Sequence, residues 1–261
     1  MASNGVYVYG FVRAADAPDL GCIGLVTDGS PARVYAIASG PVAAMVSDYE
    51  GRGRIMALRK NLDPHERVIR ETMRCTTILP AAFGHIARDV PQVAAMLRRH
   101  GASLESELAR LDGRVEMSVR VAWDVDNIFS HLVSRHPELA TLRDRIFAGG
   151  RQVDSNDKIE LGRLFEERRE AGRADVVHRV ADGLRPLASD VHVSRVYGEK
   201  AAADLAFLVS RDDVQAFRDR VLAVAADWPA EYAFQCGGPW APFNFVRLDI
   251  DTGGADRRGA A

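Results

Sequence analysis

Histidines, cysteines and closely spaced carboxylates are the residues with which this chain could do chemistry. His65 is followed by Glu66, but the residue four positions on is Ile69, so the paired histidines of a helical zinc site are missing. The spacing instead places His65 in the first turn of a helix capped at Asp63, with Glu66 closing a capping box. His85 follows Phe83-Gly84 and reads as a strand-end histidine; His131 and His136 are five apart with Pro137 next, poor geometry for a shared metal. Asp124 with Asp126, Asp154 with Asp157, and Asp249 with Asp251 could each offer oxygens to a hard cation. The first pair lies where a strand gives way to a helix, and helix capping accounts for it more economically. Cys22, Cys75 and Cys236 are far apart, form no CxxC pair and read as small buried hydrophobes in a reducing compartment. Gly51-Arg52-Gly53-Arg54 has no following Lys-Ser or Lys-Thr, so it reads as an exposed loop rather than a phosphate cradle. No GxSxG, HExxH or helix-opening GxGxxG occurs. The expectation is a protein with no catalytic, cofactor or metal site. The alternative is an enzyme or small-ligand regulatory module using an inter-domain cleft near His65 and His85.

The balance of the chain narrows the partners. Its 261 residues carry 34 basic and 36 acidic side chains, for a formal net charge of −2. That argues against nucleic acid as a partner. No window holds the roughly 18 apolar residues that would span a bilayer, and no basic-then-apolar leader opens the chain. The expectation is a cytoplasmic protein that does not enter membranes.

The elements that would position these residues follow from periodicity. Val6 to Val12 is a β-branched and aromatic run that predicts a buried strand; Pro18, Gly21 and Gly24 predict a loop. Strands are expected at Arg33 to Ala38 and Val42 to Val46, a helix from Asp63, an edge strand within Thr77 to Phe83, and a long helix from about Asp89. Val115 to Trp123 alternates apolar and polar residues, the pattern of a half-buried strand. Helices follow over Asp126 to Arg135 and Pro137 to Phe147, then a charged helical pair or one long helix from Lys158 to about Ala188, weakened by Gly162, Gly172 and Gly183. Strands at Val191 to Tyr197, Asp204 to Val209 and Glu231 to Cys236, with a helix from Asp212 to Trp228, complete a split βαβ order. The fold class is α+β: residues 1–112 as one small domain, 113–248 as a ferredoxin-like variant with helices added to its first crossover, and 249–261 as a disordered tail.

Six aromatics crowd the C-terminal part: Trp228, Tyr232, Phe234, Trp240, Phe243 and Phe245. They could close a core or present a surface to a protein, since Trp and Tyr carry much of the energy at interfaces. Tyr232, Trp240 and Phe243 are the candidate partner-binding residues. Trp240, stiffened by Pro239 and Pro242, is expected to plug a cavity beside the last strand, with Phe243 and Phe245 as neighbours.

Four segments in order, YVYG at Tyr7 to Gly10, LPAAFGH at Leu79 to His85, GRVEMSVRV from Gly113 and GPWAPFNFV at Gly238 to Val246, resemble the gas vesicle protein GvpL/GvpF family. LGRLFEERRE at Leu161 to Glu170 is similar to that family's middle region, while Ala82 stands where the family has arginine. The resemblance implies two α+β domains, the first ferredoxin-like and the second a ferredoxin-like variant. It implies a non-enzymatic accessory factor of gas vesicle assembly. Such a factor would bind the hydrophobic shell protein GvpA and other accessory proteins, limiting aggregation during nucleation, or would be a minor vesicle component.

Overall fold

The computed structural model describes residues 5–27, 29–51, 55–147 and 155–248. The expected disordered tail, Arg52 to Arg54 of the glycine-arginine loop, and Asp154 lie outside the described residues. The chain divides into two compact units, Met1–Glu116 with Pro239–Ala261, and Met117–Gly238. The expected division, 1–112 and 113–248, differs from these units chiefly in where Pro239 to Leu248 falls.

The first unit is built on β1 (Gly5–Arg13), which pairs antiparallel with β4 (Val42–Tyr49), β5 (Leu79–Pro80) and β6 (Ile86–Ala87). With β2 (Gly21–Thr27) and β3 (Ser30–Ser39) the sheet order is β2-β3-β4-β1-β5, β6 also joining β1. Strand β2 falls where the sequence predicts a loop. Gly24 misleads: a Cβ there would sit 2.7 Å from the Tyr9 hydroxyl and 2.9 Å from the Ala32 carbonyl, so this glycine permits a close approach within a strand.

Helix α1 (Arg59–Cys75) starts a turn before the expected cap at Asp63. The Leu58 carbonyl already accepts the N–H groups of Asn61 and Leu62, and Pro64 sits inside the helix at the cost of one backbone bond. Val68, Ile69, Thr72 and Met73 form its buried face, as their spacing predicts. Helix α2 (Val90–Arg110) opens where expected, with Asp89 accepting the Gln92 N–H at 2.8 Å, and Gly113 follows it at φ +65°.

Two buried tyrosines of β1 tie this unit together. The Tyr9 hydroxyl accepts the Leu25 N–H of β2 at 2.8 Å and bonds Ser47 Oγ of β4 at 2.9 Å. The Tyr7 hydroxyl accepts the Gly84 N–H and lies 3.0 Å from His65 Nδ1. His65 is therefore an interior residue of α1, 3% exposed, with its ring stacked on Tyr9 and edge-on to Phe83. This corrects both the expected position in a first helical turn and the idea of a cleft at His65; the imidazole is closed in by rings. The segment from Leu79 to His85 is laid along β1 by Ala81 N–H to the Tyr9 carbonyl and Val8 N–H to the His85 carbonyl, both 2.9 Å. Gly10 is the point of closest approach, since a Cβ there would meet the Leu79 carbonyl at 2.6 Å.

The second unit is a four-stranded sheet, β7 (Arg114–Trp123), β8 (Asp190–Val193), β9 (Ala201–Ser210) and β10 (Tyr232–Trp240), in the order β10-β7-β9-β8. Strands β8 and β9 are antiparallel, and Trp123 N–H to Lys200 O and Asp124 N–H to Glu231 O set the end of β7 beside the starts of β9 and β10. Its helices are α3 (Ile128–Arg135), α4 (Pro137–Phe147), α5 (Ser155–Leu184) and α6 (Val214–Ala226). Met117, Val119, Val121 and Trp123 share a core with Leu205, Phe207 and Val209 and with Leu132, Leu139, Val176, Val180, Leu184 and Phe217 from the helices.

The charged stretch forms one helix of 30 residues. Two of its glycines are packing positions rather than breaks: a Cβ at Gly183 would lie 3.0 Å from Val224, and one at Gly172 would lie 3.4 Å from the Trp123 ring. Asn127 caps α3, accepting the Ser130 N–H at 2.8 Å, so neither Asp124 nor Asp126 holds the expected capping role. All three cysteines are exposed rather than buried. Cys75 ends α1 and Cys236 lies on the edge strand β10, positions that no core covers.

Opposite outcomes are expected for two glycine-to-alanine substitutions. Gly10→Ala drives a methyl into a backbone carbonyl that cannot swing away, and should cost about 3 kcal/mol in urea denaturation. Gly101→Ala, within α2 and with open space around its Cβ position, should gain about 0.5–1 kcal/mol through reduced backbone freedom of the unfolded chain.

Candidate functional site

The C-terminal segment combines exposed aromatics with a firm attachment. In the first unit, Glu116, 6% exposed, lies on the otherwise alternating strand β7. Its two carboxylate oxygens accept the Asn244 backbone N–H at 2.9 Å and the Asn244 side-chain amide at 2.7 Å. Glu107 of α2, 7% exposed, accepts the Arg247 N–H at 2.7 Å and is forked by the Arg110 guanidinium at 2.6 and 2.9 Å. Arg110 above all, and the Arg247 backbone, hold the Glu107 carboxyl below its ordinary range. Arg110 also donates to the Phe245 carbonyl. Phe243 to Phe245 form a short 3-10 turn, closed by the Phe245 N–H on the Pro242 carbonyl.

This attachment sorts the aromatic residues. Ala241 and Phe245 are buried, whereas Trp240 and Phe243 are 49% and 47% exposed. The expectation that Trp240 plugs a cavity is thus overturned: Phe245 points inward, and Trp240 stands at the end of an edge strand between two prolines. Tyr232 belongs to the second unit, where its ring packs on Trp228 at 4.9 Å. Phe234 packs on the same indole at 5.3 Å, and the Arg179 guanidinium covers it at 4.0 Å. Two of the three candidate partner-binding residues therefore lie on one short segment, and the third serves a local aromatic cluster.

Sequence reasoning missed Glu107 and Glu116, which read as ordinary solvated carboxylates. It also missed a groove of about 840 Å³ in the second unit, between α5 and the stretch from Val193 to Glu199. Arg173 joins its walls, donating to the Gly198 and Ala201 carbonyls at 2.9 Å, and Tyr197 on its rim is among the most exposed large side chains of the chain. The groove's arginines stand among Glu166, Glu170 and Glu199, so it presents mixed charge. Among the described residues no cluster of three or more His, Cys, Asp or Glu could hold a metal ion, and no helix is long and apolar enough to cross a membrane.

Known proteins resemble this chain over most of its length. The family model for gas vesicle synthesis protein GvpL/GvpF matches residues 5–247. Gas vesicle protein F of Streptomyces sp. (strain CB03234) is 29% identical over 92% of this chain and 98% of that protein. Gas vesicle protein F of Dolichospermum flosaquae is 26% identical over 75% of this chain and 80% of its own length. The crystal structure of the gas vesicle protein GvpF from Anabaena sp. PCC7120 superimposes with a TM-score of 0.77 at 24% identity, covering 95% of this chain and all of that one. The GvpF structure from Microcystis aeruginosa gives 0.74 at 21% identity, covering 94% and 99%. These two likenesses establish the fold, mixed α and β with antiparallel sheets. The four sequence segments become two physical joints, Tyr7 to Gly10 against Leu79 to His85, and Glu116 against Asn244. With the family model matched over nearly its full length, the chain belongs to the gas vesicle synthesis protein GvpL/GvpF family.

Proposed function

We propose that this protein is a non-enzymatic accessory factor of gas vesicle assembly that binds the hydrophobic shell protein GvpA and limits its aggregation during nucleation. The observation that carries this reading is the C-terminal segment. Two large aromatics, Trp240 and Phe243, are held half out of the surface by a backbone that Glu107 and Glu116 pin from beneath. Anchored aromatics of this kind lose little conformational freedom on binding, which favours them as hot spots. A subunit that polymerises through apolar β-rich surface is an aggregation hazard, and a partner that covers that surface removes it. The protein would act in the cytoplasm and at the growing vesicle, alongside other accessory proteins, and some copies could stay as a minor vesicle component.

The ferredoxin-like description belongs to this proposal as well. It fits the second unit, whose strands in chain order lie 4-1-3-2 across the sheet with α3 to α5 in the first crossover. The first unit begins with four strands before its first long helix, so its relation to that fold is looser.

The double substitution Trp240→Ala with Phe243→Ala tests the reading. Both side chains are half exposed, so thermal stability should change little, by about 1 kcal/mol or less. Capture of purified shell protein, and suppression of its light scattering, should weaken tenfold or more. Undiminished capture by the folded double variant would remove this segment from the interface, and no capture by the unaltered protein would remove the function.

A further inference from the structure

We propose that His65 is an acid-released latch, whose protonation frees α1 and the Leu79 to His85 segment from β1 while the second unit stays folded. The hydrogen-bond directions carry the argument. The Tyr7 hydroxyl accepts the Gly84 N–H at 3.0 Å, so its own proton is left to donate to His65 Nδ1, also 3.0 Å away. That arrangement requires Nδ1 to be bare, and places the ring proton on Nε2, where the Ala81 backbone is the partner. A second proton on Nδ1 would turn the Tyr7 hydroxyl into an acceptor from both sides and leave the phenolic O–H without a partner inside the core. It would also place a cation among the rings of Tyr7, Tyr9 and Phe83, where none of the described contacts of the imidazole is a carboxylate.

Among the described residues, the titratable groups on the neighbouring elements are exposed, paired or uncharged. Strand β1 presents Tyr7 and Tyr9, and its terminal Arg13 is paired with Asp112. Burial raises the pKa of both tyrosines. Strand β2 offers only Cys22, which is exposed; β4 offers Tyr49, whose ring faces Tyr7, and Asp48, which is exposed and accepts the Tyr35 hydroxyl at 2.8 Å. His85, in the segment being held, is a further basic group rather than a counter-charge. On α1 itself Asp63, Glu66, Arg67 and Arg70 are exposed. Burial accordingly lowers the His65 pKa from 6.5 to about 4, against a smaller opposing effect of the Ala81 hydrogen bond.

The direction of the effect follows. A released His65 titrates near 6.5 and a latched one near 4, so between those values the open state binds the extra proton and falling pH favours opening. Above 6.5 the latch is insensitive to pH; below 4 the effect is complete. From pH 7 to pH 4.5 the opening equilibrium should rise about 50-fold.

Amide hydrogen exchange on the full chain, corrected for the intrinsic pH dependence of exchange, reads this directly. The Gly84, Ala81 and Val8 amides, which close the latch, should lose protection about 50-fold between pH 7 and 4.5. Ser194, whose amide bonds Asp204 O in the second unit, should keep its own. In His65→Gln, where a neutral amide can accept from Tyr7 and donate to Ala81 at every pH, the acid-dependent loss should vanish. Retention of the same loss in that variant would overturn the proposal, as would unchanged protection of the wild-type amides at pH 4.5. Should the variant fail to fold, NMR titration of the wild-type imidazole decides: its protonation must coincide with the loss of protection, and protonation near 6.5 without opening would contradict the latch.

Discussion

A buried carboxylate fastens one stretch of the chain to another distant in sequence, and the presentation of the C-terminal segment rests on it. Glu116 accepts the backbone N–H and the side-chain amide of Asn244, one on each carboxylate oxygen. Removing the carboxylate would leave both Asn244 donors without this acceptor in a partly buried site. Glu107 fastens the segment a second time at Arg247, and is itself held by Arg110. Between these two points the backbone has little freedom, and with Ala241 and Phe245 turned inward, Trp240 and Phe243 have nowhere to go but out.

The first unit applies the same economy at the tyrosines. Each phenol bonds backbone or side chains that are distant in sequence: Tyr9 to Leu25 and Ser47, Tyr7 to Gly84 and His65. The glycines beside them make the distances possible. Gly10 and Gly24 let backbone carbonyls approach where a methyl would not fit, and Gly84 turns at φ +86° to aim its N–H at Tyr7. The YVYG and LPAAFGH segments are thus two halves of one joint.

Periodicity made most of the elements legible. The alternation in β7 and the apolar faces of α1 and α2 are all written in side-chain order, because one face of each meets a core. Strand β2 was hidden, since Gly21 and Gly24 carry a local signal for a loop and only the approach of Tyr9 explains them. The start of α1 was hidden because Pro64 looks like a first residue and lies within the helix. At the candidate site, the aromatic crowding near the C-terminus was visible, but the sorting into inward Phe245 and outward Trp240 and Phe243 was not. That sorting is decided by Glu107 and Glu116, contacts more than a hundred residues away in the chain, which no local pattern encodes.

The central claim is that a fixed C-terminal segment presents the binding aromatics, and Glu116→Gln tests it most directly. The substitution keeps the size of the side chain but turns one acceptor into a donor facing the donors of Asn244. The account predicts that the Asn244 amide loses its exchange protection and that affinity for the purified shell protein falls about tenfold, while the amides of β1 and β9 stay protected. Wild-type affinity in a variant whose Asn244 amide has become unprotected would contradict it, because binding would then not depend on how the segment is held.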